Sequence, residues 1–168
     1  MKYFFFLLCC LCLQVCHAQK NIPPTEAFRI TGEIHINKEV SLVQLGGLRS
    51  NDITNTAVTN HAGVVKDKLR DLKGILLKTI LNDLDYISES PKDLSELTFH
   101  LIASDGYRVV YSWNEIFNTQ TGDHIFILTQ KYGKSLSEME DRIAVVCTSD
   151  FMTGRRFVKG LERIEVRR

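Results

Sequence analysis

The sequence predicts an α+β domain, a mixed β-sheet or partial barrel with two or three short helices. Three observations predict it. Short apolar runs, alternating or continuous and bounded by Gly, Pro, Asn or Asp, recur through residues 27–168 in the pattern of strands. Helix signals are confined to three brief places: the turn after Val40, the run from Gly74, and Ser112 to Phe117. No segment repeats another, and none is of low complexity.

Residues 1–18 are expected to lie outside that domain. Met1-Lys2 is a short basic start, and Tyr3 to Val15 is an apolar run shorter than the roughly 20 residues that span a bilayer. Val15-Cys16-His17-Ala18 then supplies a small residue before Gln19, which predicts a secretory signal peptide cleaved after Ala18. Leu13-Gln14-Val15-Cys16 leaves a lipoprotein anchored at Cys16 as an alternative, against which stands the bulk of Val15. The expected product is secreted or periplasmic, with no stable membrane span.

Four of the five cysteines fall in this leader, so a mature chain keeps only Cys147 and has no internal disulfide. About 150 residues suffice for one compact domain that buries roughly two thirds of its unfolded surface. Without Lys2 the basic residues equal the 20 acidic ones, which argues against a general attraction to nucleic acid or to anionic membrane. The charge is uneven, however: Arg155, Arg156, Lys159, Arg163, Arg167 and Arg168 crowd the C-terminus. They form either a solvated edge strand protected from aggregation or an anion-facing patch.

The elements follow in order. Residues 19–26, with Pro23-Pro24, are an exposed lead-in. Phe28, Ile30, Ile34 and Ile36 alternate around Gly32, as in a strand bent at the glycine. Val40 to Leu48 is a short strand and a helical turn stopped by Gly46-Gly47, and Asn51 to Asn55 is turn-prone. Ala57 and Val58 begin a brief strand that ends at Asn60-His61-Ala62-Gly63, and Val64 to Leu72 is amphipathic and ambiguous. From Gly74, Ile75, Leu76, Ile80, Leu81 and Leu84 recur at helical spacing. A loop with Pro91 leads to the strand Leu97 to Ala103, and Asp105-Gly106 turns the chain into the strand Tyr107 to Tyr111. Ser112-Trp113-Asn114-Glu115 has the form of a capping box. His124 to Thr129 is a strand, Tyr132-Gly133-Lys134 a turn, Arg142 to Thr148 a buried strand, and Phe157-Val158 and Ile164 to Val166 close the chain in strands.

Laid out in that order, segments along most of residues 27–168 resemble the sulfite oxidase family's molybdopterin-binding catalytic domain. Phe28-Arg29-Ile30-Thr31-Gly32 resembles its opening strand, and Val40 to Leu45 its next strand and helix. Leu72-Lys73-Gly74-Ile75-Leu76-Leu77-Lys78-Thr79-Ile80-Leu81 is similar to the family's W-x-G-V-x-L-x-x-L-L segment. Ser104-Asp105-Gly106-Tyr107 resembles A-D-G-Y, Arg142 to Val146 resembles R-L-V-V-P, and Val158-Lys159-Gly160-Leu161 to Ile164 resembles V-K-W-L-x-x-I. The resemblance implies an oxidoreductase-like fold with molybdopterin as the cofactor of a complete member. In the family a cysteine thiolate from a C-x-G-N segment binds the molybdenum, a soft anionic ligand beside the pterin dithiolene. The matching place here, Thr59-Asn60-His61-Ala62-Gly63, has no cysteine. The resemblance also places Arg155, Arg156 and Lys159 in the segment that meets the cofactor's phosphate, a task suited to guanidinium and ammonium groups.

Three functions are therefore expected as alternatives. One is a small-ligand module whose cleft takes an anion through Arg155, Arg156 and Lys159, with no cofactor. Another is a pterin enzyme using Asn60 or His61 in place of the cysteine. The third is an interaction domain for a protein partner in the export compartment. No residue is assigned as catalytic, and no metal site is expected, since His35, His61, His100 and His124 lack ligand spacing. Cys147 is expected as a small buried hydrophobe, and Trp113, Phe117, Tyr107 and Phe126 as core. The paired carboxylates Asp83/Asp85 and Glu138/Glu140/Asp141 are expected in solvated turns.

Overall fold

A computed structural model of the chain describes residues 22–168; the expected signal peptide and its Cys16 alternative lie outside them. One sheet runs in the order β2 (Lys38–Ser41), β1 (Ala27–Gly32), β13 (Leu161–Arg167), β7 (Thr98–Ala103), β8 (Arg108–Ser112). Its β1–β13 contact is parallel, pairing Arg29 with Arg163 and Gly32 with Val166. The other named pairings are antiparallel.

The second sheet runs β12 (Val158–Lys159), β11 (Ala144–Cys147), β9 (Ile125–Lys131), β6 (Leu72–Leu76), β3 (Asn51–Ile53), with β10 (Lys134–Ser135) beside β9. A separate hairpin joins β4 (Thr56–Thr59) to β5 (Val65–Leu69). Three five-residue helices, α1 (Leu42–Gly46), α2 (Leu77–Leu81) and α3 (Trp113–Phe117), sit at strand ends. Short 3₁₀ turns cover Asp93–Glu96, Gln120–His124 and Thr153–Arg156.

Both sheets contribute to a single apolar core. Phe28, Ile30, Phe99, Leu101, Ile164 and Val166 from the first meet Ile75, Ile127, Val145 and Val158 from the second. Tyr86, Phe99, Trp113 and Phe117 form an aromatic cluster at one side of it, with Trp113 and Phe117 centroids 4.2 Å apart. The capping box forms as the sequence predicts: Ser112 Oγ accepts from Glu115 N, and Glu115 Oε2 accepts from Ser112 N.

The fold class is α+β and the first sheet is mixed, as expected; the sheets are open and do not close into a barrel. Closure needs edge strands long enough to pair; β12 and β3 are two and three residues long. Four local expectations also change. Asn51–Ile53 is a strand, because its backbone pairs with Leu72–Gly74 despite its turn-prone residues. The helix expected from Gly74 begins only at Leu77; Gly74 itself is in β6, where a Cβ would stand 2.8 Å from the Ile127 carbonyl oxygen. Apolar spacing carried across a strand-to-helix joint imitates one continuous helix face. Tyr107 is exposed, not core. Asp141 is buried and not solvated, its two oxygens accepting from Lys131 Nζ at 2.6 and 2.7 Å.

Candidate anion-facing cleft

The 3₁₀ turn Thr153–Arg156 is pressed against the β4–β5 hairpin. Thr153 Oγ1 accepts from Thr59 N at 3.1 Å and donates to the Ala57 carbonyl at 2.6 Å. Gly154 permits this closeness, because a Cβ there would lie 2.2 Å from the Thr59 carbonyl oxygen. The Tyr107 hydroxyl donates to the Arg155 carbonyl and holds the turn from its other side.

Between hairpin and turn lies an open cleft of about 650 Å³. Ile22, Val58 and Phe157 make its apolar wall; Thr59, Asn60, His61, Lys66, Asp67, Gly154, Arg155 and Lys159 complete the lining. Four of the five site residues expected from sequence thus meet in one place: Asn60, His61, Arg155 and Lys159.

Each is held differently. Asn60 shapes the hairpin turn, its Oδ1 accepting from Ala62 N and Val64 N at 3.0 Å, as asparagine does in Asx turns. The His61 carbonyl accepts from Arg155 Nη2 at 3.5 Å. Lys159 Nζ lies 5.3 Å from the Phe157 ring centroid.

Arg156 is the exception. Its Nε donates to Asp150 Oδ2 at 2.8 Å, Nη2 donates to Asp150 Oδ1, and Nη1 donates to Glu115 Oε1 at 2.9 Å. Its guanidinium also covers the Tyr111 ring. Burial opposes the charge on Glu115, but hydrogen bonds from Ser112 and Arg156 outweigh it and hold this carboxyl below its ordinary range. The hydrogen bonds that Arg156 donates to Asp150 raise the pKa of the arginine. Arg156 is consumed inside the fold and does not line the cleft.

Sequence reasoning missed Lys66 and Asp67. The signal was present: a turn-forming Asn60 to Gly63 between two short runs predicts a hairpin, and a hairpin returns Val65–Leu69 beside Val58. Asp67 is occupied, accepting from Lys68 N and from the Tyr132 hydroxyl. Burial and the Asp67 carboxylate push the Tyr132 hydroxyl up to about 12. Lys66, Arg155 and Lys159 form no carboxylate ion pair among the described residues. The cleft therefore carries three cations without an ion pair and one carboxylate, an excess of positive charge suited to an anion.

A thiolate-held metal does not fit these residues. The hairpin turn at the cleft has no cysteine, and Cys147 is fully buried in β11 with its Sγ 3.3 Å from Ser149 Oγ. Burial pushes that thiol's pKa up, away from the thiolate. Among the described residues no three His, Cys, Asp or Glu side chains converge as a metal site.

Fold and cleft together define a class: a two-sheet α+β domain with a basic cleft between a hairpin and a 3₁₀ turn. The same fold occurs in the sulfane dehydrogenase SoxCD of Paracoccus pantotrophus, with a TM-score of 0.62 at 10% identity, over 83% of this chain and 37% of that one. At that identity the likeness shows the fold alone; it is a fold that a dehydrogenase uses, and this chain spans little more than a third of that chain's length. No family model and no curated protein matches the sequence. Among the described residues no helix is long and apolar enough to cross a membrane.

Proposed function

We propose that this chain is an exported anion-binding module built on an oxidoreductase-type fold, acting without molybdenum catalysis. The observation that carries the proposal is the meeting of Lys66, Arg155 and Lys159 in one cleft with no carboxylate partner among the described residues. The apolar wall of Ile22, Val58 and Phe157 favours an anion with an apolar portion. Arg155 offers a planar fork and the two lysines point charges. Arg156, expected from sequence as a direct contact, acts here as a positioning residue for the turn that carries Arg155.

A pterin held through Asn60 has little support, because its Oδ1 is committed to the turn. Molybdopterin enters only through the sequence resemblance, and no chemical step is derived through it.

Titration with inorganic phosphate, followed by calorimetry or amide chemical shifts, tests the proposal. Binding that weakens about tenfold on Arg155→Ala or Lys159→Ala, with unfolding unchanged, is expected from the loss of one charged hydrogen bond. Equal affinity in both variants overturns it. So does stoichiometric molybdenum and pterin in protein made in a host that synthesises the cofactor. Export is tested by N-terminal sequencing of the secreted chain, which should begin at Gln19.

A further inference from the structure

Two loop tips meet at the mouth of the cleft, and both expose apolar side chains. On the hairpin, Val64 and Val65 are 53% and 48% exposed; on the loop before the 3₁₀ turn, Phe151 and Met152 are 97% and 36% exposed. The tips touch. Met152 Sδ is 4.0 Å from Thr59 Oγ1, and its methyl group lies against Gly63. A single exposed hydrophobe is ordinary, but four on two adjoining tips form a patch that an interaction partner would cover.

The shape and the charge point to one kind of partner. Phe151 projects as a knob, so its receiver must supply an apolar medium; an apolar groove for an incoming side chain is not what these tips offer. Asp150, next to Phe151, is only 13% exposed and is bound to Arg156, so it does not oppose an anion there. Arg155, three residues beyond Met152, and Lys66, next to Val65, line the adjoining cleft as cations without carboxylate ion pairs among the described residues. Apolar tips fringed by uncompensated cations match the interface of an anionic bilayer, with headgroups at the cations and acyl chains at the knob.

We propose that this end of the domain docks on an anionic lipid surface through Phe151, Met152, Val64 and Val65. Docking rests in part on the proposed anion cleft, because it shares the cations Arg155 and Lys66 with it, but its apolar tips Phe151, Met152, Val64 and Val65 are not part of the cleft lining. The expected leader is itself apolar, so the readout must be local to the tip.

Phe151→Trp in the full chain supplies that readout, with the parent chain, whose single tryptophan is Trp113, as the control. Vesicles of phosphatidylcholine mixed with phosphatidylglycerol should shift the new tryptophan's emission to the blue, and brominated acyl chains should quench it. Pure phosphatidylcholine should do so more weakly, by about fivefold in partitioning for each cation engaged. Phe151→Ser should lower partitioning of the tip about tenfold or more, while leaving phosphate affinity in the cleft unchanged. A tryptophan at 151 that is unshifted and unquenched on vesicle-bound protein overturns the proposal. A shift produced by soluble polyglutamate but not by vesicles also overturns it, in favour of an acidic protein partner. Because phosphate titration of Phe151→Ser reads the cleft alone, failure of docking and failure of the anion site are distinguishable.

Discussion

The Arg156 guanidinium carbon stands 4.4 Å from the centroid of the buried Tyr111 ring, so the arginine closes the core edge from which its neighbour Arg155 reaches the cleft. Two adjacent arginines in the same 3₁₀ turn thus have separate tasks. Arg156→Ala leaves the poorly exposed Asp150 carboxylate without its partner and should cost about 2 kcal/mol in urea unfolding. Arg155→Ala should stay within about 0.5 kcal/mol of the parent, because its side chain is exposed.

Gly154→Ala should displace the 3₁₀ turn from the hairpin, since the added Cβ meets the Thr59 carbonyl at 2.2 Å. A loss of about 1–3 kcal/mol is expected from overpacking against backbone. Amide shifts should move at Ala57 and Thr59, which share the Thr153 hydroxyl, and remain in place across the β1–β13 pairing. Shifts confined to residue 154 would contradict this.

Asp141→Asn should be among the costliest single changes of charge, at about 3 kcal/mol, because Lys131, its side chain only 12% exposed, would remain charged without its partner. Replacing both, as Lys131→Met with Asp141→Leu, should recover most of the loss. Thermal unfolding of the three proteins measures the comparison.

His100 sets a pH dependence. Burial, with Arg167 and Arg108 nearby, lowers its pKa from the ordinary 6.5, and Glu165 opposes them only in part. The folded state therefore binds the proton less readily than the unfolded chain. The contribution to stability is fully present above pH 6.5 and is lost as the pH falls through the lower folded value. His100→Gln should flatten the stability curve in that interval. An unchanged slope would assign the acid sensitivity to other groups.

Much of this molecule was legible in its sequence because many of its signals are local. The Ser112–Glu115 capping box, the Asp105-Gly106 turn and the apolar run ending at Cys147 each depend on neighbours within a few residues. The clustering of Arg155 with Lys159 was likewise a matter of short spacing. Where the reading failed, the deciding contacts were distant. Asn51–Ile53 became a strand because β6 was there to pair with it, and Gly74 joined a strand because β9 passes too close for a side chain.

The sequence by itself determined the fold class, most of the elements, the absence of a cysteine at Thr59–Gly63 and the presence of a basic segment near the C-terminus. Only the tertiary structure decided which of those cations are available. Arg155 and Arg156 are identical in type and adjacent in sequence, yet Arg156 is paired with Asp150 and Glu115 while Arg155 faces a cleft with Lys66 and Lys159. An arginine's role depends on where carboxylates stand around it, and the fold brings Glu115 of α3 to Arg156 across 41 residues of chain. Such long-range pairing leaves no trace in local spacing.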